Sequence, residues 1–145
     1  MSDRPAIIVR VTRRYAFPPE RVFDAWLDAE TAGKFLFATS GGEMLRAETD
    51  PRVGGAFNFT ERRGEVDAEH VGEYLEIERP LRLVFTFHTE RGSTDLSRVT
   101  VEIVPTPEGC ELTLTHEIDP KWADYKDRTE AGWGMILQGL GRVLG

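Results

Sequence analysis

Cysteine is almost absent: Cys110 stands alone in 145 residues. No internal disulfide can form, nothing argues for secretion, and a reducing compartment fits. Long apolar runs are missing too. The N-terminal stretch offers only Ala6-Ile7-Ile8-Val9 among scattered arginines, too short for a signal-peptide core or a membrane span. A soluble, cytoplasmic protein without membrane insertion is the expectation. Positive charge is in deficit, with 18 Lys and Arg against 25 Asp and Glu and a formal charge of −7. That balance argues against nucleic acid or an anionic bilayer as the main partner.

Catalytic and metal-binding signatures are equally scarce. The chain has three histidines and no HExxH, CxxC or paired-histidine spacing, so neither a metal nor a cofactor is expected. Cys110 and His116 are six positions apart, which is roughly 20 Å along an extended strand, so they cannot share an ion. Gly54-Gly55 lacks the Lys-Ser/Thr tail and the following helix of a phosphate cradle and reads as a hairpin turn. No Gly-x-Ser-x-Gly occurs, and no histidine lies near Cys110 in sequence to activate it.

What is present is ordinary globular material, 40% apolar and 30% charged. One domain, residues 1–145, has room for a core and for a cavity within it. Ile7 to Tyr15 alternates as a strand, with Ile7, Val9 and Val11 on one face. Pro19 and Glu20 then open a helix whose apolar stripe is Val22, Phe23, Trp26 and Leu27. A second helical piece, Ala29 to Phe35 with Asp28 as its cap, competes with a packed loop around Phe35-Leu36-Phe37.

From Glu43 to Ile118 the apolar period is two, broken at Pro51 to Gly55, Arg63-Gly64, Arg79-Pro80, Arg91-Gly92-Ser93 and Pro105 to Gly109. Six strands fit between those breaks, and turns this short favour antiparallel neighbours. After Asp119-Pro120, Trp133, Ile136, Leu137, Leu140, Val143 and Leu144 recur at helical spacing, making a long helix to cover the apolar face of the sheet. Gly132, Gly134, Gly139 and Gly141 weaken that helix, and close backbone approach or a homodimer contact would each account for them. The predicted class is α+β.

The blocks Thr12-Arg13-Arg14-Tyr15, Pro18-Pro19-Glu20-Arg21-Val22-Phe23-Asp24-Ala25-Trp26 and Asp50-Pro51-Arg52-Val53-Gly54-Gly55-Ala56-Phe57 occur in that order. Leu83-Val84-Phe85-Thr86-Phe87 follows, then Leu112-Thr113-Leu114-Thr115-His116 leading to Gly132-Trp133. With them the chain resembles the helix-grip fold of the Bet v 1 and START-like (SRPBCC) superfamily. Within it, the chain looks like the AHSA1-like family, named for the C-terminal domain of the activator of Hsp90 ATPase. Where such proteins usually show Trp-Phe-Gly-Pro after the first helix, this sequence has Phe35-Leu36-Phe37-Ala38. The resemblance implies a curved antiparallel sheet of about seven strands gripping the long helix, with a cavity that in relatives holds hydrophobic or amphipathic small molecules. It does not imply one activity, since relatives include lipid carriers, polyketide cyclases, resistance proteins and co-chaperone domains. An Hsp90-type partner is not expected, because the ATPase-stimulating action of the co-chaperones belongs largely to a further N-terminal domain.

Phe57 and Phe59, and Phe85 and Phe87, are i, i+2 pairs that each share a sheet face. They are either ordinary core or the wall of a cavity, to which Trp26, Phe35, Tyr74, Leu112, Leu114, His116, Trp133 and Leu137 would contribute. His116 continues the Leu112 and Leu114 face and should point inward, as a hydrogen-bonded core residue, a ligand contact or an acid/base. His88 falls opposite Phe85 and Phe87, toward solvent, whereas the face of His70 is undetermined. Glu61, Glu65, Asp67, Glu69, Glu73, Glu76 and Glu78 read as a solvated acidic face. Glu73 becomes a candidate general base if Val71, Leu75 and Ile77 face inward. The expectation is a non-catalytic binder of a small apolar or amphipathic molecule. A cyclase- or hydrolase-type enzyme using His116 or Glu73, and a co-chaperone-like interaction module, are the alternatives.

Overall fold

Strand β1 (Ile7–Tyr15) turns Val9 and Tyr15 inward and leaves Ile8 and Arg10 outside, as its alternation predicts. The computed structural model describes residues 5–36, 41–89 and 95–145. Helix α1 (Pro19–Leu27) starts on the ring-locked backbone of Pro19 and buries Val22, Phe23, Ala25 and Trp26. Helix α2 (Ala29–Phe35) forms where a loop was the alternative, because the Asp28 carboxylate accepts the Thr31 N–H at 3.1 Å and caps its open end. Phe37 and Ala38, which stand in place of the family's usual motif, and the Arg91-Gly92-Ser93 turn lie outside the described residues.

Six further strands follow: β2 (Glu43–Thr49), β3 (Ala56–Arg63), β4 (Val66–Glu78), β5 (Arg82–Thr86), β6 (Ser97–Thr106) and β7 (Gly109–Ile118). With β1 they make one curved seven-stranded sheet, ordered β1-β7-β6-β5-β4-β3-β2, in which all neighbours are antiparallel. The helices α1 and α2 therefore carry the chain from one sheet edge to the other. A 3-10 segment (Pro120–Tyr125) leads into α3 (Lys126–Leu144), whose buried residues Trp133, Leu137, Leu140 and Leu144 join the core with α1, α2 and the inner sheet face. The Tyr15 hydroxyl donates to the Leu137 carbonyl at 2.6 Å, and the Arg21 guanidinium donates to the Leu144 carbonyl, tying α3 to β1 and α1. Burial holds the Tyr15 phenol well above its usual range, so it stays a donor.

Three expectations need correction. The Leu83–His88 run is shorter as a strand: β5 ends at Thr86, and His88 makes only an isolated bridge to Val71. His88 is half-buried rather than solvent-facing, because its Nε2–H donates to the Asp95 carbonyl at 2.9 Å. Close approach does not account for Gly132 and Gly134, since a Cβ at either would meet open space, while at Gly139 and Gly141 it would make ordinary contact with Phe35 and Tyr15.

Candidate functional site

The inner sheet face follows from the register. On β7, Cys110, Leu112, Leu114, His116 and Ile118 are buried while the residues between them are half-exposed. His116 is paired with Val9 on one side and Val99 on the other, so it is flanked by a strand on each side, one strand in from the β1 edge of the sheet. On β3, Phe57 and Phe59 lie on the same inward face, and Glu61 continues it with 1% exposure. Its carboxylate is held by Arg63 at 2.7 Å and lies against Gly42. The acidic-face expectation is therefore wrong for Glu61, and the i, i+2, i+4 run from Phe57 was the signal that places it inside.

Strand β4 changes faces part-way. His70 and Tyr74 are buried, Gly72 lies on the same parity, and after a register shift between Tyr74 and Glu76 it is Ile77 that packs on the core. Glu73 is consequently exposed on the outer face, where its backbone N–H donates to Thr86 Oγ1 at 2.9 Å. The condition that made it a candidate base is not met. The outer face is a lattice of ion pairs, Arg98 with Glu117 and Arg82 with Glu102 among them, in keeping with a solvated surface.

The structure brings the predicted lining residues together in the interior, and all but Phe87, which is half-buried, are buried. The rings form two adjoining groups. In the first, Trp26 stands edge-on to Phe35 at 5.4 Å and lies 6.4 Å from Phe85. Phe85 meets Phe57 at 5.5 Å, and Phe57 meets Phe59 and Tyr74 at 5.8 and 5.6 Å. Burial, and then the nearby Asp50 carboxylate, hold the Tyr74 phenol protonated well above its usual range. In the second group Phe87 stacks on His70 at 5.8 Å and touches His116 and Trp133 at 5.8 and 6.0 Å.

Hydrogen bonding fixes the state of His116. The Trp133 indole is a donor only, and its Nε1–H reaches His116 Nδ1 at 3.0 Å. Nδ1 must accept, so the proton is on Nε2 and donates to Ser97 Oγ at 2.8 Å. Burial lowers the His116 pKa to about 4, with Glu117 pulling it up and His88 down. His70 is lowered too, chiefly by burial, and its Nδ1–H donates to the Phe59 carbonyl at 3.2 Å.

Ser97 lines a recess of about 210 Å³ with Phe87, His88, Asp95 and Trp122. Sequence reasoning missed Ser97, which carries no motif. A serine hydroxyl 2.8 Å from a histidine nitrogen is the spacing of a nucleophile and its base. Here the third group works against that chemistry: a donor on Nδ1 leaves Nε2 protonated, and a protonated Nε2 cannot take the serine proton.

The aromatic groups hold a further asymmetry. The Trp122 Nε1–H donates to Asp95 Oδ2 at 3.1 Å and that of Trp133 to His116. Among the described residues, Trp26 Nε1 is the one fully buried side-chain polar atom with no hydrogen-bond partner. No group of His, Cys, Asp and Glu among the described residues could hold a metal ion, and no helix among them is long and apolar enough to cross a membrane.

Comparison with known proteins agrees with this architecture. A protein from Chromobacterium violaceum is 26% identical, with 93% of this chain and 95% of that one aligned at a TM-score of 0.79. The AHSA1-like protein of Aeromonas hydrophila is 22% identical over 95% and 92% of the two chains, at a TM-score of 0.81. A Staphylococcus aureus protein of unknown function reaches 0.84 at 15% identity, over 97% and 94% of the two chains. No curated protein matches the chain. The family model for activator of Hsp90 ATPase homolog 1-like protein matches residues 16–145. The chain belongs to this AHSA1-like family.

Proposed function

We propose that the protein binds a small hydrophobic or amphipathic molecule between the inner sheet face and the helices. The observation that carries this reading is Trp26, whose indole N–H is buried without an acceptor inside a wall of aromatic rings. A donor left unpaired in an apolar interior costs about 1–3 kcal/mol. Packing alone gives no reason to place one beside Phe35 and Phe85, whereas a guest carrying an acceptor gives one. The surrounding rings supply apolar contact area for the remainder of such a guest.

The enzyme alternative draws support from the Ser97–His116 contact and loses it to the tautomer imposed by Trp133. A binding role needs no proton transfer. Native mass spectrometry of freshly purified protein, set against its denatured mass, tests the reading. The expected result is added mass that is lost on denaturation. A clean chain mass together with no saturable binding of apolar aromatic probes overturns it.

A further inference from the structure

From the surroundings of Trp26 we infer the chemical class of the guest: an uncharged molecule with an apolar body and a hydrogen-bond-accepting oxygen, such as a ketone or quinone carbonyl, seated on Trp26 Nε1. The inference rests on the ligand-binding reading above and narrows it.

Three observations carry it. The indole N–H can only donate, so the group that satisfies it must be an acceptor. Trp26 is 1% exposed and its aromatic neighbours are Phe35 and Phe85, with Phe57, Phe59 and Tyr74 next in ring contact. None of these side chains is a cation, and burying an ionised carboxylate against one neutral donor carries a large desolvation cost. The nearest ionic feature along β3 is the inward carboxylate of Glu61, two residues beyond Phe59 on the same face. That carboxylate is paired with Arg63 at 2.7 Å, and the chain's formal charge of −7 is what disfavours an anionic guest further. A pure hydrocarbon leaves the N–H as it was. A neutral oxygen acceptor satisfies it without bringing in charge.

The other two indoles already have acceptors, so the three tryptophans are internal controls for one another. The test uses matched probes at two sizes: acetophenone, ethylbenzene and benzoate, and the 2-acetyl, 2-ethyl and 2-carboxylate naphthalenes. Each is titrated into ¹⁵N-labelled full-length protein while the three indole N–H signals are followed, with Trp26→Phe identifying the Trp26 signal. The ketones are expected to bind about tenfold more tightly than the hydrocarbons, the worth of one buried hydrogen bond, and to move the Trp26 signal downfield. Carboxylates are expected to bind more weakly than either. In Trp26→Phe the ketone should lose that advantage and bind no more tightly than the hydrocarbon.

Equal affinities of ketone and hydrocarbon in the unmodified protein overturn the inference and leave the ligand-binding reading standing. So does a preference for the carboxylate, or a ketone response confined to Trp122 and Trp133. A water molecule fixed on Trp26 Nε1 that the ketone does not displace overturns it as well. If no probe of either size binds, the inference falls, and when the native mass is also that of the bare chain the ligand-binding reading falls with it. The comparison among probes is made in the unmodified chain, so it decides the matter even if Trp26→Phe fails to fold.

Discussion

At the scale of single residues, His116 shows how a polar group in an apolar sheet face is made tolerable. Its two nitrogens are used in opposite senses, one accepting from Trp133 on α3 and the other donating to Ser97 on β6. Replacing His116 with Leu keeps the volume near enough and leaves the Trp133 N–H buried without an acceptor, at a cost of about 2 kcal/mol. Gln offers both an oxygen to accept and an N–H to donate, so His116→Gln should recover part of that loss. Urea unfolding of the two variants checks this, and Leu unfolding at or above the Gln midpoint would show that the hydrogen bonds contribute nothing. Trp133→Phe makes a separate forecast. With the indole gone, Nδ1 is free to take a proton, so His116 should titrate at higher pH than its depressed value of about 4. The ring proton shifts of His116 followed by NMR report that pKa directly.

At the scale of elements, glycines test which contacts matter. Gly132 and Gly134 lie on α3 where a Cβ would meet open space, so alanine at either should only remove the backbone-entropy cost of glycine. Each change should stabilise the protein by about 0.5–1 kcal/mol. At Gly72 a Cβ would run into the Thr86 carbonyl and the Phe57 ring, so Gly72→Ala should lose about 1–3 kcal/mol or more through forced displacement. Thermal unfolding of the three variants distinguishes the signs. The same strand explains what was legible in the sequence. Period-two runs separated by turn residues are enough to count six strands, and Asp28 and Pro19 are enough to open two helices. On β4 the sequence offers two apolar sets, His70-Gly72-Tyr74 and Val71-Leu75-Ile77, and each is inward over part of the strand. The irregularity between Tyr74 and Glu76 inserts a step that exchanges the faces. No local pattern announces that step, so the inward His70 and outward Glu73 follow only from the strand pairing of the folded sheet. Glu61 was legible from Phe57 and Phe59 and was masked by its acidic neighbours. Ser97 gains meaning only from His116, 19 residues away in sequence.

At the scale of the whole molecule, the buried histidines set how stability responds to acid. His116 is held neutral with a pKa of about 4 against an ordinary value of 6.5, and His70 is displaced in the same direction. In the unfolded chain both regain the ordinary value, so below about pH 6.5 the unfolded state binds protons that the folded state refuses. Stability is therefore complete above that pH and falls as the pH drops toward 4, at up to about 1.4 kcal/mol per pH unit for each group. For His116 the loss over the window is on the order of 3 kcal/mol. Asp24 and Glu117, bound to Arg79 and Arg98, are lowered below the usual carboxylate range and add losses of the same sign only at more acidic pH. The two contributions are separated by their pH windows. Urea midpoints measured at pH 8.5, 7.5, 5.5 and 4.5 should hold nearly level between the first two and then fall through the rest. His116→Gln, which cannot titrate, should flatten much of that slope while leaving the carboxylate losses at lower pH. Midpoints constant from pH 7 to 5 in the unmodified protein would mean that the sheet admits the proton and that the Trp133–His116–Ser97 chain does not hold α3 as described. A slope equally steep in His116→Gln would assign the effect to His70, whose ring stacks on Phe87 in the same cluster.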